Sequence, residues 1–204
     1  MIYNEIKIAY DLFYKSQFLD AEVIFARNNL TYEAGMCSLL VGDIKKAKKY
    51  FQVKSKICPA SDFGLIILDI IEKKPLRDIG YFQVRSFLEV FLNLLIENSK
   101  LDWAQEIINK YDYFSKFNLE TPKFIARILY ASGYTKVVHS FADYAKEICR
   151  LDAEIYYIDA SLYIDEENYD KAKSNIDFCT AFAPEYFPIL QLRKKLLEKT
   201  GGKI

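Results

Sequence analysis

The sequence predicts an all-α, right-handed superhelix of about five to six helix pairs, closed by a C-terminal capping helix. Three observations lead there. Small and apolar residues return at a regular interval of about 34 residues, a length that fits one helix–turn–helix unit. Ala160, Tyr163, Ala172, Ile176 and Cys179 repeat the slots of Ala126, Leu129, Val138, Ala142 and Ala145, and those repeat Leu92, Leu95, Ala104, Ile108 and Tyr111. A helix pair of this length can bury its apolar face only against its neighbours, so three units in register imply a stack. Helix punctuation marks off the same units. Thr121-Pro122 opens one helix with a cap and a proline at the first helical position, Gly133 ends it, and Pro184 stops the last unit. Finally, the chain is 51% hydrophobic and 16% aromatic, too apolar for disorder.

The elements follow in order. The segment 2–15 has helical periodicity, and Ser16 starts a second helix carrying Ala21, Phe25 and Ala26 on one face. Thr31 is a plausible cap for a helix with Ala34, Gly35, Cys37 and Ser38, closed by Gly42. Asp43 caps the next, which bears Ala47 and Phe51 and stops at Pro59. Ala21 and Ala47 stand closer together than the regular interval, so these opening repeats are short. Ser61 and Asp62 cap a helix to about Lys73, and Pro75 breaks it.

The step from Ala47 to Ala104 is not a whole number of repeat intervals, and 80–98 reads as one long helix. A helix is therefore missing, or reduced to a turn at 76–79, and the stack is dislocated there. Regular units follow: helices over 101–115, from Thr121 to Gly133, and over 135–149. Asp152 caps the unit with Ala160 and Ala172, and an amphipathic closing helix spans about 185–199. The reading is a single solenoid domain over 1–204: short opening repeats at 1–59, an irregular region at 60–100, regular repeats at 101–184 and a cap at 185–200.

Composition narrows the function. The 28 basic residues are matched by 28 acidic ones, so the excess that phosphate neutralisation requires is missing and no nucleic-acid partner is expected. Cys37, Cys58, Cys149 and Cys179 form no CxxC pair and have no histidine at ligand spacing. They read as small buried hydrophobes in a reducing compartment, with no metal or cofactor. No basic leader precedes an apolar run at the N-terminus. The most apolar stretches, 63–71 and 87–96, are interrupted by Asp69, Glu89 and Asn93 and fall short of the roughly 18 residues of a membrane span. The expectation is an intracellular protein, cytoplasmic or nuclear, with no membrane partner.

No residue pattern suggests catalysis. His139 is the only histidine, with no nucleophile or second base at a useful offset. Gly201-Gly202-Lys203 does not lead into a helix, as a phosphate loop must. Asp165-Glu166-Glu167 lacks the alternating ligands and central glycine of a calcium loop. It reads as a solvated turn, with Glu167 or Asn168 capping the next helix.

Two surfaces are candidates instead. On the first helix Tyr3, Ile6, Tyr10, Phe13 and Tyr14 lie at helical spacing on one side, while Ile8 and Leu12 serve the packing side. A second apolar stripe on an end helix is either an unusually wide core face or an interface. The inward positions of later helices form the other: Glu89, Asn93 and Ile96, then Lys123, Arg127 and Tyr130, then Tyr157, Ser161 and Ile164. This polar, mixed-charge set suits an extended peptide or a helix laid in a groove, or is simply a solvated face.

The columns from Leu92 to Pro184 resemble the tetratricopeptide-repeat (TPR) superfamily, with departures at Asp159, where Leu is usual, and at Lys116 and Arg150, where Pro is usual. The segment 1–80 has a short aromatic helix, then SQFLDAEVIFARN, then EAGMCSLLVGDIKKAKKYF. It resembles the N-terminal domain of the TPR scaffold subunits of the anaphase-promoting complex, a ubiquitin ligase of the cell cycle. That resemblance implies a domain of a longer subunit, and a homodimer with the first helix of each protomer in the groove of the other. It would make the chain a scaffold among other protein subunits. The alternative is a monomeric adaptor or secretion chaperone holding an extended peptide in its concave groove; Lys123 and Arg127 alone do not make the lysine–asparagine clamp for a C-terminal carboxylate.

Overall fold

The computed structural model describes residues 2–54 and 59–202. Cys58 and Lys203 lie outside them, and the side chains of Pro59 and Ser61, assigned above as a stop and a cap, are not described. The described residues contain helices and turns and no strand. Thirteen α-helices follow one another among them: α1 (Ile2–Tyr14), α2 (Phe18–Arg27), α3 (Thr31–Val41), α4 (Ile44–Lys54), α5 (Pro59–Ile71), α6 (Tyr81–Glu97), α7 (Leu101–Ile108), α8 (Tyr111–Ser115), α9 (Thr121–Ala131), α10 (Val138–Ile148), α11 (Ala153–Asp165), α12 (Tyr169–Phe182) and α13 (Phe187–Thr200).

They gather into two compact units. The first holds residues 1–78 and 90–109; the second holds 79–89 and 110–204. In the first unit α1 to α5 pack consecutively, and α5 lies against both α3 and α7. In the second, α9 to α13 pack consecutively, and α11 also touches α9 and α13. Helices that meet their next-but-one neighbour as well as their neighbour are what stacked pairs produce, each pair covering the face the previous one leaves open.

The repeat columns are core. Leu92, Ala126 and Ala160 are fully buried, as are Val138, Ala142 and Ala172, with Ala104 at 3% exposure. Tyr163 and Tyr111 are half-buried. Small residues also set the spacing in the first unit. A Cβ on Gly35 would stand 2.5 Å from the Phe51 ring, and one on Gly64 2.4 Å from it. Both glycines are held by that ring, since neither distance is attainable without moving it.

Local boundaries differ from expectation where capping chemistry was misjudged. Ser16 and Glu167 adopt left-handed backbone angles and end turns rather than starting helices, whereas Asn168, the other residue named for that cap, does stand at the cap position of α12, without a side-chain cap bond. Thr31 lies inside α3, whose cap position is Leu30. Asp43 and Asp152 do cap: their carboxylates accept from the amides of Lys46 (3.0 Å) and Glu154 (3.1 Å). The helix expected over 101–115 is two, broken at Asn109 and Lys110, and Phe114 then packs on Phe87 with ring centres 5.3 Å apart. The segment 135–149 opens as a 3-10 turn before α10. The missing helix is confirmed: none lies between Ile71 and Tyr81.

Candidate interaction surfaces

At about 100° per residue, Tyr3, Tyr10 and Tyr14 fall within roughly 40° of one another on α1. The buried side of α1 is centred on Ala9, which joins Ala21, Phe25, Ala34 and Cys37 in one cluster with Leu12 and Phe13 against it. The aromatic stripe therefore runs along the edge of the packed face. Tyr3 and Tyr14 are 80% exposed. Phe13 and Ile6 are half-buried, Phe13 meeting Phe18 at 5.4 Å. Tyr10 sits between, its ring 5.0 Å from Phe25 and its hydroxyl donating to Glu33 at 3.2 Å. Burial, with help from the Glu33 charge, pushes that phenol up to about 12. Ile8, assigned to the packing side, is half exposed, because it lies about 140° around the helix from Tyr3, beyond Leu12.

Beside this stripe is a cavity of about 330 Å³, wholly within the first unit. Phe13, Tyr14, Phe25 and Tyr32 wall it, Val90 and Leu94 from α6 close one side, and Glu33, held by Tyr10, brings the only charge among the described lining residues. Glu33 was not singled out from the sequence. It was visible there as a lone acid opening an otherwise apolar helix, with Asn29 and Cys37 four residues to either side and no cation.

The second predicted surface is mostly occupied by itself. In the second unit Arg127 pairs with Glu89 and lies 3.5 Å from Glu154. Lys123 reaches Asp152 at 2.6 Å and Glu154 at 3.4 Å, and Arg85 reaches Glu89 at 3.0 Å. The result is a ladder across α6, α9 and α11, with both arginines also over the Phe124 ring. Tyr130 and Tyr157 are half-buried, as are Asn93 and Ile96 in the first unit. Ser161 and Ile164 do not line a surface: both are in the core, and the Ser161 hydroxyl has no hydrogen-bond partner among the described residues. The reason is that α11 is buried nearly all round, packed by α9, α10, α12 and α13, so it keeps no open inward stripe.

Asp159, noted above as an irregular position, is 1% exposed and holds a polar knot. It accepts from His139 Nδ1, from Lys146 Nζ and from Asn175 at 2.9 Å. The other ring nitrogen of His139 faces Glu166 at 3.0 Å, and the ring stacks on Tyr163 at 4.1 Å. The histidine thus tethers α10 to α11, and both its nitrogens are engaged. Cys37 and Cys179 are buried and Cys149 is exposed. Burial and the Glu22 carboxylate push the Cys37 thiol up to about 12. No helix among the described residues is long and apolar enough to cross a membrane.

The chain matches no protein-family model, no curated protein and no solved structure.

Proposed function

We infer that this chain is a non-catalytic helical-repeat scaffold of the tetratricopeptide kind, which binds proteins and pairs with a second copy of itself through α1. The observation that carries the reading is the pair Tyr3 and Tyr14, each 80% exposed on one side of α1 beside a walled apolar cavity. Exposed aromatics grouped in this way mark interfaces in soluble proteins, where Tyr is a frequent anchor. Burying a large apolar side chain is worth roughly 1.5–3 kcal/mol before association entropy and side-chain ordering are subtracted. A two-fold contact uses the same patch twice and so doubles the gain from each residue. The resemblance of the segment 1–80 to scaffold subunits supports a place in a large assembly with other protein subunits.

The charge ladder supports α1 over the inward surface as the principal contact. Lys123, Arg127 and Glu89 are already paired within the chain, and a peptide would have to displace those partners to use them. Size-exclusion chromatography with light scattering tests the reading. The chain should run as a dimer at micromolar concentration, and Tyr3→Glu with Tyr14→Glu should give a folded monomer. A wild-type monomer overturns the self-pairing.

A further inference from the structure

We propose that the cavity beside α1 is a receptor for an alkylammonium group, the lysine side chain of a partner protein segment. It rests on the reading of this face as a protein-binding surface and adds the chemistry of what enters it. The shape is a half-open groove of about 330 Å³, at the lower end of ligand-site sizes and suited to one long side chain.

Its lining is aromatic on several sides: Phe13, Tyr14, Phe25 and Tyr32, with the Tyr10 ring at the edge. Ring faces carry negative potential and attract a cation most strongly where water is displaced. Glu33 lies in the same wall and supplies the opposite charge. Several carboxylates of the first unit are matched by cations within the fold, Glu22 by Lys46, Glu72 by Lys48 and Lys74, and Asp69 by Arg77, while half-buried Glu5 takes an amide donor from Asn28 at 3.5 Å. Glu33 meets no lysine or arginine within 4.0 Å among the described residues; its one hydrogen bond is from the Tyr10 hydroxyl to Oε1. That bond holds the half-buried carboxylate beside the aromatic wall and leaves Oε2 open to an incoming donor. A carboxylate held in an aromatic pocket without a cation of its own is complementary to a positive charge on an apolar stem. The single open oxygen suits the point charge of an ammonium better than the two-pronged guanidinium.

The test is an NMR titration of the full chain, following aromatic resonances, with N-acetyl-lysine methylamide and with the neutral isostere N-acetyl-norleucine methylamide. The lysine derivative should shift Tyr10, Tyr14 and Tyr32 saturably and bind at least about fivefold more tightly than norleucine. Glu33→Gln should erase that preference while norleucine binding stays. Tyr14→Ala, at a position 80% exposed, should weaken the lysine derivative about two- to threefold without touching the fold. Equal binding of the two ligands overturns the proposal, and so does a lysine preference that survives Glu33→Gln. No saturable shift up to about 50 mM overturns it as well. Light scattering on the same samples separates this from the dimer. A lysine preference in a monomeric chain keeps the pocket and rejects self-pairing; a dimer with no preference does the reverse.

Discussion

Replacing Asp159 with leucine probes the one buried charge that the sequence marked in the second unit. The carboxylate is 1% exposed and takes three donors, so its removal strands whatever cannot turn to water. His139 retains Glu166 at 3.0 Å, and Asn175 is half-buried and can reach solvent. Lys146 bears most of the cost: its side chain is 17% exposed, and it keeps Asp143, 3.6 Å away on an exposed site, and the face of the Tyr156 ring at 5.1 Å. Removing one partner of a fully buried pair costs about 3–5 kcal/mol. With Asp143 and partial exposure as relief, Asp159→Leu should cost about 2–3 kcal/mol. In a chain of this size that lowers the melting temperature by about 4–12 °C.

The double variant Asp159→Leu with Lys146→Met should recover to within about 1 kcal/mol of wild type, since a well-packed apolar pair commonly equals a buried ionic one. Urea denaturation of the four chains gives the cycle, with an expected coupling of at least about 1 kcal/mol. A single variant as stable as wild type, with no coupling to Lys146, would refute the view that this knot is satisfied by that pair.

Gly35→Ala and Gly64→Ala should each cost about 1–3 kcal/mol by forcing the Phe51 ring aside, and Phe51→Leu should offset part of either; an alanine tolerated at both sites, read by thermal melts, contradicts the packing. Iodoacetamide at about pH 8 should label Cys149 well before Cys37 or Cys179, whose thiols are buried and raised, as peptide mass mapping would show; equal rates contradict it. Cys37 ionises near 12 in the fold against an ordinary 9.0, and Tyr10 near 12 against 10.0. The unfolded chain therefore loses these protons first. Their contribution is fully present below pH 9 and is lost as pH rises towards 12, and Cys37→Ala should flatten that alkaline decline in denaturation titrations.

Periodicity made the core legible because burial enforces it: Ala126, Ala142, Ala160 and Ala172 are all fully buried. Pro75 likewise announced the gap before α6, since proline removes a donor and clashes with the preceding turn. Helix ends were less legible. Asn109 and Lys110 carry no proline or glycine to signal a break, yet α7 ends and α8 begins there, with Phe114 of α8 packed on Phe87. On α1 the aromatic pattern was visible but its division was not. Phe13 and Tyr10 lean inward because α2 supplies Phe18 and Phe25, a fact of the partner helix rather than of α1. The cavity was hidden for the same reason: its walls come from α1, α2, α3 and α6, which sequence spacing does not align. Asp159 was visible as an irregularity, yet the donors that make it tolerable come from α10 and α12.

The central claim is that the exposed edge of α1 pairs two copies of the chain, and light scattering across a concentration series tests it most directly. Because Tyr10 and Phe13 also pack on Phe25, the informative substitutions are at Tyr3 and Tyr14, where charge opposes burial without opening the core. Wild type should scatter with twice the chain mass at micromolar concentration, and Tyr3→Glu with Tyr14→Glu with a single chain mass and unchanged helical circular dichroism. A double variant that remains dimeric, or a wild type that is monomeric throughout the series, would contradict it.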